Sequence, residues 1–182
     1  KKIVPNLDII FLLRPTLFFS VWVMVVMGMS SAQMRLVQSP IWITEISWDI
    51  LLVFIGLTGV CSATFIINQI SDKDSDSINK KLLLVGNYIS MKKSKKIANI
   101  LLVIGIIISI ISNWLAAIFI GCIYYVWGLL YNQEPYKWKR NPILGWVANS
   151  VVGILLFATG WFLVMSNNNE GSILFVDVHM FI

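Results

Sequence analysis

Five stretches of the chain, residues 16–31, 50–67, 97–111, 115–130 and 143–165, carry no charged side chain and are almost continuously apolar. Every Lys, Arg, Asp and Glu falls in the gaps between them or beyond their ends. Each stretch approaches the roughly 20 residues that a helix needs to cross a bilayer once its flanking turns are added. The alternation of a membrane β-strand, apolar at every second residue, is absent, so helices are the remaining way to satisfy the backbone in hydrocarbon. The pattern predicts an all-α, polytopic transmembrane helix bundle of five spans. A sixth apolar run starts at Ile173. Residues 1–182 therefore read as one membrane domain, incomplete at its C-terminal end. Composition agrees: 58% of residues are hydrophobic and 13% charged, with a mean hydropathy of +0.81, against about 25% charged residues in soluble domains.

Charge sets the orientation. Lys1, Lys2 and Arg14 precede the first span, Lys73, Lys80, Lys81, Lys92, Lys93, Lys95 and Lys96 lie between the second and third, and Lys137, Lys139 and Arg140 lie between the fourth and fifth. Of the 14 basic residues only Arg35 falls on the other side. The positive-inside rule then places the N-terminus and both basic loops in the cytoplasm. The net charge of +5 reflects this topology, and nucleic acid is not an expected partner for lysines so close to membrane spans. Cys61 and Cys122 are single residues inside apolar spans and His179 stands alone, so neither residue type suggests metal or redox chemistry. The Trp residues suit interfacial anchoring and helix packing.

Where the second apolar run stops, Asn68, Asp72 and Asp76 recur at every fourth residue. A helix continued through them places all three oxygens on one face. A solvated, acidic helix end would have the same spacing. Clustered carboxylates repel unless a cation lies between them, and oxygen-only ligation suits Mg²⁺, which commonly bridges to substrate phosphates. Calcium fits less well, because an EF-hand loop begun at Asp72 requires Gly where Ser77 stands and Glu where Leu83 stands. Asn79, Lys80 and Lys81 follow, Gly86-Asn87 signals a turn, and Ser90 is placed to cap a helix starting at Met91. Carboxylates with lysines close behind have the charge layout of a metal-bridged phosphate site, in which cations take the oxygens that the metal leaves. The lysines at 92–96 are explained by topology alone.

A second polar island, residues 131–142, lies on the same side, bounded by Pro135 and Pro142 and holding Tyr131, Lys137, Lys139 and Arg140. With the first island it suggests a cationic lid over an anion. Alternatives are a transporter, whose carboxylates would be expected nearer mid-span, and a scaffold without chemistry. A phosphatidyltransferase of the CDP-alcohol type is disfavoured by the absence of a D-G-x-x-A-R stretch.

These motifs resemble the UbiA superfamily of intramembrane prenyltransferases. Asn68, Asp72 and Asp76 match its first aspartate-rich motif, N-D-x-x-D-x-x-x-D, in register. Asn79-Lys80 resembles the Asn-Arg step beyond it, and Leu13-Arg14-Pro15 the Arg-Pro start of the first helix. Tyr131 through Lys139 resembles the Y-S-x-P-P-x-R-L-K loop, with Lys137 at the Arg position and Lys139 at the Lys. Gly145, Asn149 and Gly153 fall where the family places small and polar residues in its fifth helix. Gln69 departs from the usual second-position Asp, and Leu83 stands where a phosphate-facing Arg is common. The resemblance implies roughly the first half of a nine-helix enzyme, with the second aspartate-rich motif beyond this chain. It implies transfer of a prenyl group from an isoprenyl diphosphate to a lipophilic acceptor, aromatic or glycerol-phosphate-like, within the bilayer. Asn68, Asp72 and Asp76 would hold Mg²⁺, and Arg14, Lys80, Lys81, Tyr131, Lys137 and Lys139 would hold the diphosphate.

Overall fold

A computed structural model describes residues 5–37, 47–79 and 84–167. Lys80, Lys81, Leu83 and the apolar run from Ile173 lie outside the described residues. The helices are α1 (Pro5–Leu12), α2 (Phe18–Val37), α3 (Trp48–Ile78), α4 (Met91–Ser112), α5 (Trp114–Ile123) and α6 (Pro142–Asn167). Single 3₁₀ turns cover Pro15–Leu17 and Trp138–Arg140, and a π-helical stretch, Tyr124–Tyr131, continues α5. Five helical segments are long and apolar enough to cross a membrane, the first running from α1 through α2 as Leu7–Leu36.

The cap expected at Ser90 is realised as a hydrogen bond, and two further helix starts are capped in the same way. The Ser90 hydroxyl accepts from Lys93 N at 3.3 Å and Asn113 Oδ1 from Ala116 N at 2.9 Å. Asn141 Oδ1 accepts from Ile143 N at 2.9 Å, just before Pro142 opens α6, where a missing N–H costs nothing. Gly86 takes the left-handed φ of 97° that its turn demands. That turn buries Val85 and Ile89 against Leu12, Ala63, Ile66 and Ala98, forming a small apolar cluster beneath the loop. The short helix α1 is a feature that hydropathy did not separate from the first span. It ends at Leu12, and two residues later Arg14 takes a left-handed φ of 52° that turns the chain out of the helix before Pro15.

The main core lies deeper, around Val25, Met29, Val53, Val60, Ile120, Val152 and Leu163, all essentially inaccessible. Two close crossings build it. A Cβ on Gly28 would lie 2.0 Å from Phe157 O, and one on Gly160 would lie 1.9 Å from Val25 O, so α2 and α6 meet backbone to backbone. Gly56 and Gly105 do the same for α3 and α4. Small residues that admit such approach are what drives association where lipid already solvates apolar side chains. By contrast α2 and α3 scarcely meet. They are linked by a hydrogen bond from Trp22 Nε1 to Thr58 Oγ1 at 3.0 Å and by the stacked rings of Phe18 and Phe65.

Hydrogen bonds also fix which chain segments share an end of the bundle. Ser112 Oγ donates to Asp49 O at 2.7 Å and Asn113 Nδ2 to Ser166 Oγ at 2.6 Å, gathering one end. At the other, Gln69 Nε2 donates to Leu12 O at 2.7 Å and Ser71 Oγ to Asn132 O at 2.8 Å. The start of the first span, the acidic end of α3 and the second polar island are thus together, as the charge pattern expects.

Candidate active site

Helix α3 runs 31 residues, well past its apolar stretch, and so carries Asn68, Asp72 and Asp76 on one face of its polar end. What meets that face is Lys139. Its Nζ lies 2.5 Å from Asp72 Oδ1 and donates to Asn68 Oδ1 at 3.2 Å and to Asn132 Oδ1 at 3.0 Å. An ammonium has three N–H groups, and all three are spent. The Lys139 side chain is 11% exposed and that of Asp72 28%. Loss of water lowers the Lys139 pKa from its ordinary value. The hydrogen bond and charge of Asp72, and the charge of Asp76, act in the opposite direction, while Lys137 adds to the lowering.

Asn132 organises this arrangement. It is almost completely buried, and its amide nitrogen donates to Trp127 O at 2.7 Å, inside the π-helical stretch. Its carbonyl accepts from Ser71, locking the island to α3. The π-helix ends at Tyr131, just before Asn132, which meets the acidic face through Lys139 and Ser71, and such π segments are frequent at functional sites. A Cβ on Gly145 would lie 3.8 Å from both Tyr131 Cε2 and Lys139 Cα. The Tyr131 ring and the Lys139 backbone thus both border Gly145 at ordinary contact distance.

The remaining residues expected at the site are arranged differently. Asp74 is exposed, pointing off the Asn68 face. Arg14 stands at the same end of the bundle but, among the described residues, is hydrogen-bonded to none of Asn68, Asp72 and Lys139. Lys137 contacts Glu134, not the acidic face. It sits at a left-handed φ of 34°, which costs a non-glycine residue about 1–2 kcal/mol, and its Nζ lies 3.7 Å from Glu134 Oε1. Glu134 also receives Arg140 at 3.0 Å. No group of three or more His, Cys, Asp and Glu side chains is gathered for a metal among the described residues. Asp72 and the Asn68 amide oxygen converge on a cation, the ammonium of Lys139, and Asp76 on the same face adds its charge. Hard oxygen donors around a positive charge are a donor set that also suits Mg²⁺.

Residues 21–181 match the UbiA prenyltransferase family. The chain belongs to that family. Two similar proteins are known from Humulus lupulus. One, a 2-acylphloroglucinol 4-prenyltransferase, is 34% identical over 105 residues, covering 53% of this chain and 25% of the relative. The other, a chloroplastic 2-acylphloroglucinol 4-prenyltransferase, is 35% identical over 97 residues, covering 51% of this chain and 23% of the relative. The matched region therefore spans about a quarter of these relatives' length. No solved structure matches the chain.

Within this UbiA-family bundle, Asn132 and Ser71 are structural partners that sequence reasoning did not single out, and Gln69, noted only as a departure from the family motif, proves to be a third. Gln69 occupies the position where the family motif carries its second-place Asp. It is buried and directed away from the acidic face, donating to Leu12 O and, at 3.3 Å, to Phe65 O. Its amide pins α1 to α3, which a carboxylate with no hydrogen to donate could not do.

Proposed function

We propose that the full-length protein transfers a prenyl group from an isoprenyl diphosphate to a lipophilic aromatic acceptor within the membrane, with Mg²⁺ held by Asn68, Asp72 and Asp76. The observation that carries this reading is the convergence of Asn68, Asp72 and Lys139 at the mouth of an apolar bundle. Family membership and the printed activity of the Humulus relatives support it. When bound, Mg²⁺ would neutralise the diphosphate and make it a better leaving group. The bond between the first prenyl carbon and its diphosphate oxygen breaks, diphosphate departs with the electron pair, and an acceptor carbon bonds to the allylic cation and then loses a proton. Lys139 trades its carboxylate partner for phosphate oxygens, and Tyr131 lies close enough to the loop to follow it. Lys80, Lys81 and Arg14 add positive charge from the same side of the membrane, and Lys137 raises the local potential.

The chain's apolar side chains would exclude water from that cation. Phe65 lies one turn before Asn68, with its ring centroid 5.9 Å from Phe18 and 6.1 Å from Trp127. Aromatic faces attract a passing cation without attacking it. The bilayer location suits the donor, because each methylene of an isoprenoid tail costs about 0.8 kcal/mol to hold in water. By the positive-inside rule the acidic face opens to the cytoplasm.

The test is prenyl transfer by full-length protein carrying single substitutions. Asp72→Ala and Asp76→Ala should each abolish product formation, while the exposed Asp74→Ala should be far milder. Equal loss at all three positions would argue against a helical ligand face.

A further inference from the structure

Behind the acidic face, a second polar cavity of about 560 Å³ opens among α3, α4 and the π-helical end of the fourth span. Ile67 and Ile70 form an apolar wall, and Lys95, Asn99, Tyr124, Gln133, Glu134 and Lys137 supply polar groups. The lining also includes Ser71 and Asn132, whose mutual hydrogen bond forms the partition from the Asn68/Asp72 site. None of Asn68, Asp72, Asp76 and Lys139 lines this cavity. Its single carboxylate, Glu134, is met by both Arg140 and Lys137, so the surplus charge is positive. Lys137, at a left-handed φ of 34°, lines this cavity while Lys139 does not. Strained non-glycine backbone of this kind is a feature that tends to mark sites of function.

We infer that this cavity binds the phosphodiester headgroup of an anionic membrane lipid. Lys95, together with Lys137 beside Glu134 and amide and phenol donors between them, matches the chemistry of a phosphate ester. Two observations favour a lipid over a free phosphate. The cavity lies at the end of the bundle that gathers most of the basic residues, where the bilayer surface would lie. One and two turns along α4 from Asn99, Val103 and Ile107 are 55% and 49% exposed, an apolar track on which acyl chains continue from the headgroup. The lipid would brace the second polar island against α3 and α4 from the side opposite the acidic face.

Native mass spectrometry of full-length protein extracted from vesicles containing equal phosphatidylglycerol and phosphatidylcholine tests this. The wild type should retain phosphatidylglycerol preferentially. Lys95→Gln with Lys137→Gln should reduce that preference about thirtyfold, the combined loss of two lysine–headgroup attractions. Lys92→Gln with Lys93→Gln removes the same charge from the same end of the bundle outside the cavity, and should leave the preference unchanged. Lys95→Gln alone should not alter binding of an isoprenyl thiodiphosphate, which keeps this result separate from the fate of the proposed catalytic site. Equal loss in the two double variants would reduce the effect to general surface charge and overturn the proposal. Retention abolished by millimolar inorganic phosphate would overturn the lipid as its source.

Discussion

Replacing Gly160 by alanine should loosen the bundle at its tightest point, and the structure gives the size of the effect. The added methyl would lie 1.9 Å from Val25 O, 2.8 Å from Val25 C and 3.0 Å from Met29 N. All three are backbone atoms, so no side chain can rotate away. The first distance falls about 1.5 Å short of the roughly 3.4 Å at which ordinary contact begins. Helices α2 and α6 must therefore separate, and a gap of only 0.5–1 Å already forfeits about a quarter to a half of a contact's attraction. Val21, Val25 and Leu156, all buried in the core around this crossing, would lose packing together. Overpacking of this kind costs about 1–3 kcal/mol, and alanine returns at most about 1 kcal/mol through helix propensity. With the lost packing included, a net loss of about 2 kcal/mol follows, or roughly 4–8 °C in melting temperature for a chain of this size. The assay is thermal unfolding in detergent, followed by tryptophan fluorescence. Gly121→Ala is the internal control, because a Cβ there meets nothing within 4 Å, and it should melt at or slightly above the wild type. If Gly160→Ala melts no lower than Gly121→Ala, the backbone-to-backbone crossing is wrong.

Asn132→Ala should weaken diphosphate binding several-fold while the protein still folds, because it removes an acceptor from Lys139 and a buried bond to Trp127 O, at a stability cost of about 1–3 kcal/mol; a binding titration with unchanged affinity would remove Asn132 from the site. Cysteine replacements at Lys80 and Lys137 should be labelled from the cytoplasm and one at Ser112 from the opposite side. Labelling of all three from one face would contradict the charge-based orientation.

The spans were legible because hydrocarbon permits few alternatives: an uncharged run of helical length has to be a helix. The capping role of Ser90 and the turn at Gly86 were legible for a local reason, since each depends on neighbours within a few residues. The acidic face at Asn68, Asp72 and Asp76 could be read from helical periodicity, and Lys139 from its place in a motif. What sequence did not reveal depends on distant partners. Gln69 meets Leu12 across 57 residues and Ser71 meets Asn132 across 61, and no periodicity encodes such pairs. The left-handed backbone of Lys137, just before the 3₁₀ turn at Trp138, was hidden as well, since a lysine does not advertise such a conformation. The π-helix at Tyr124–Tyr131 was hidden for another reason, as its apolar composition is that of any span.

The central claim is that Asn68, Asp72 and Asp76 form a cation site completed by a lipid-tailed diphosphate under Lys139. It is tested most directly by binding of a non-hydrolysable isoprenyl thiodiphosphate to purified full-length protein, with and without Mg²⁺. Diphosphate and carboxylates are like charges and cannot approach closely without a bridging cation, so binding should require Mg²⁺ and vanish with EDTA. Lys139→Ala should weaken binding but keep the metal requirement, whereas Asp72→Asn should blunt the response to metal itself. Binding that is indifferent to EDTA, or equally strong for inorganic diphosphate without a tail, would contradict the account.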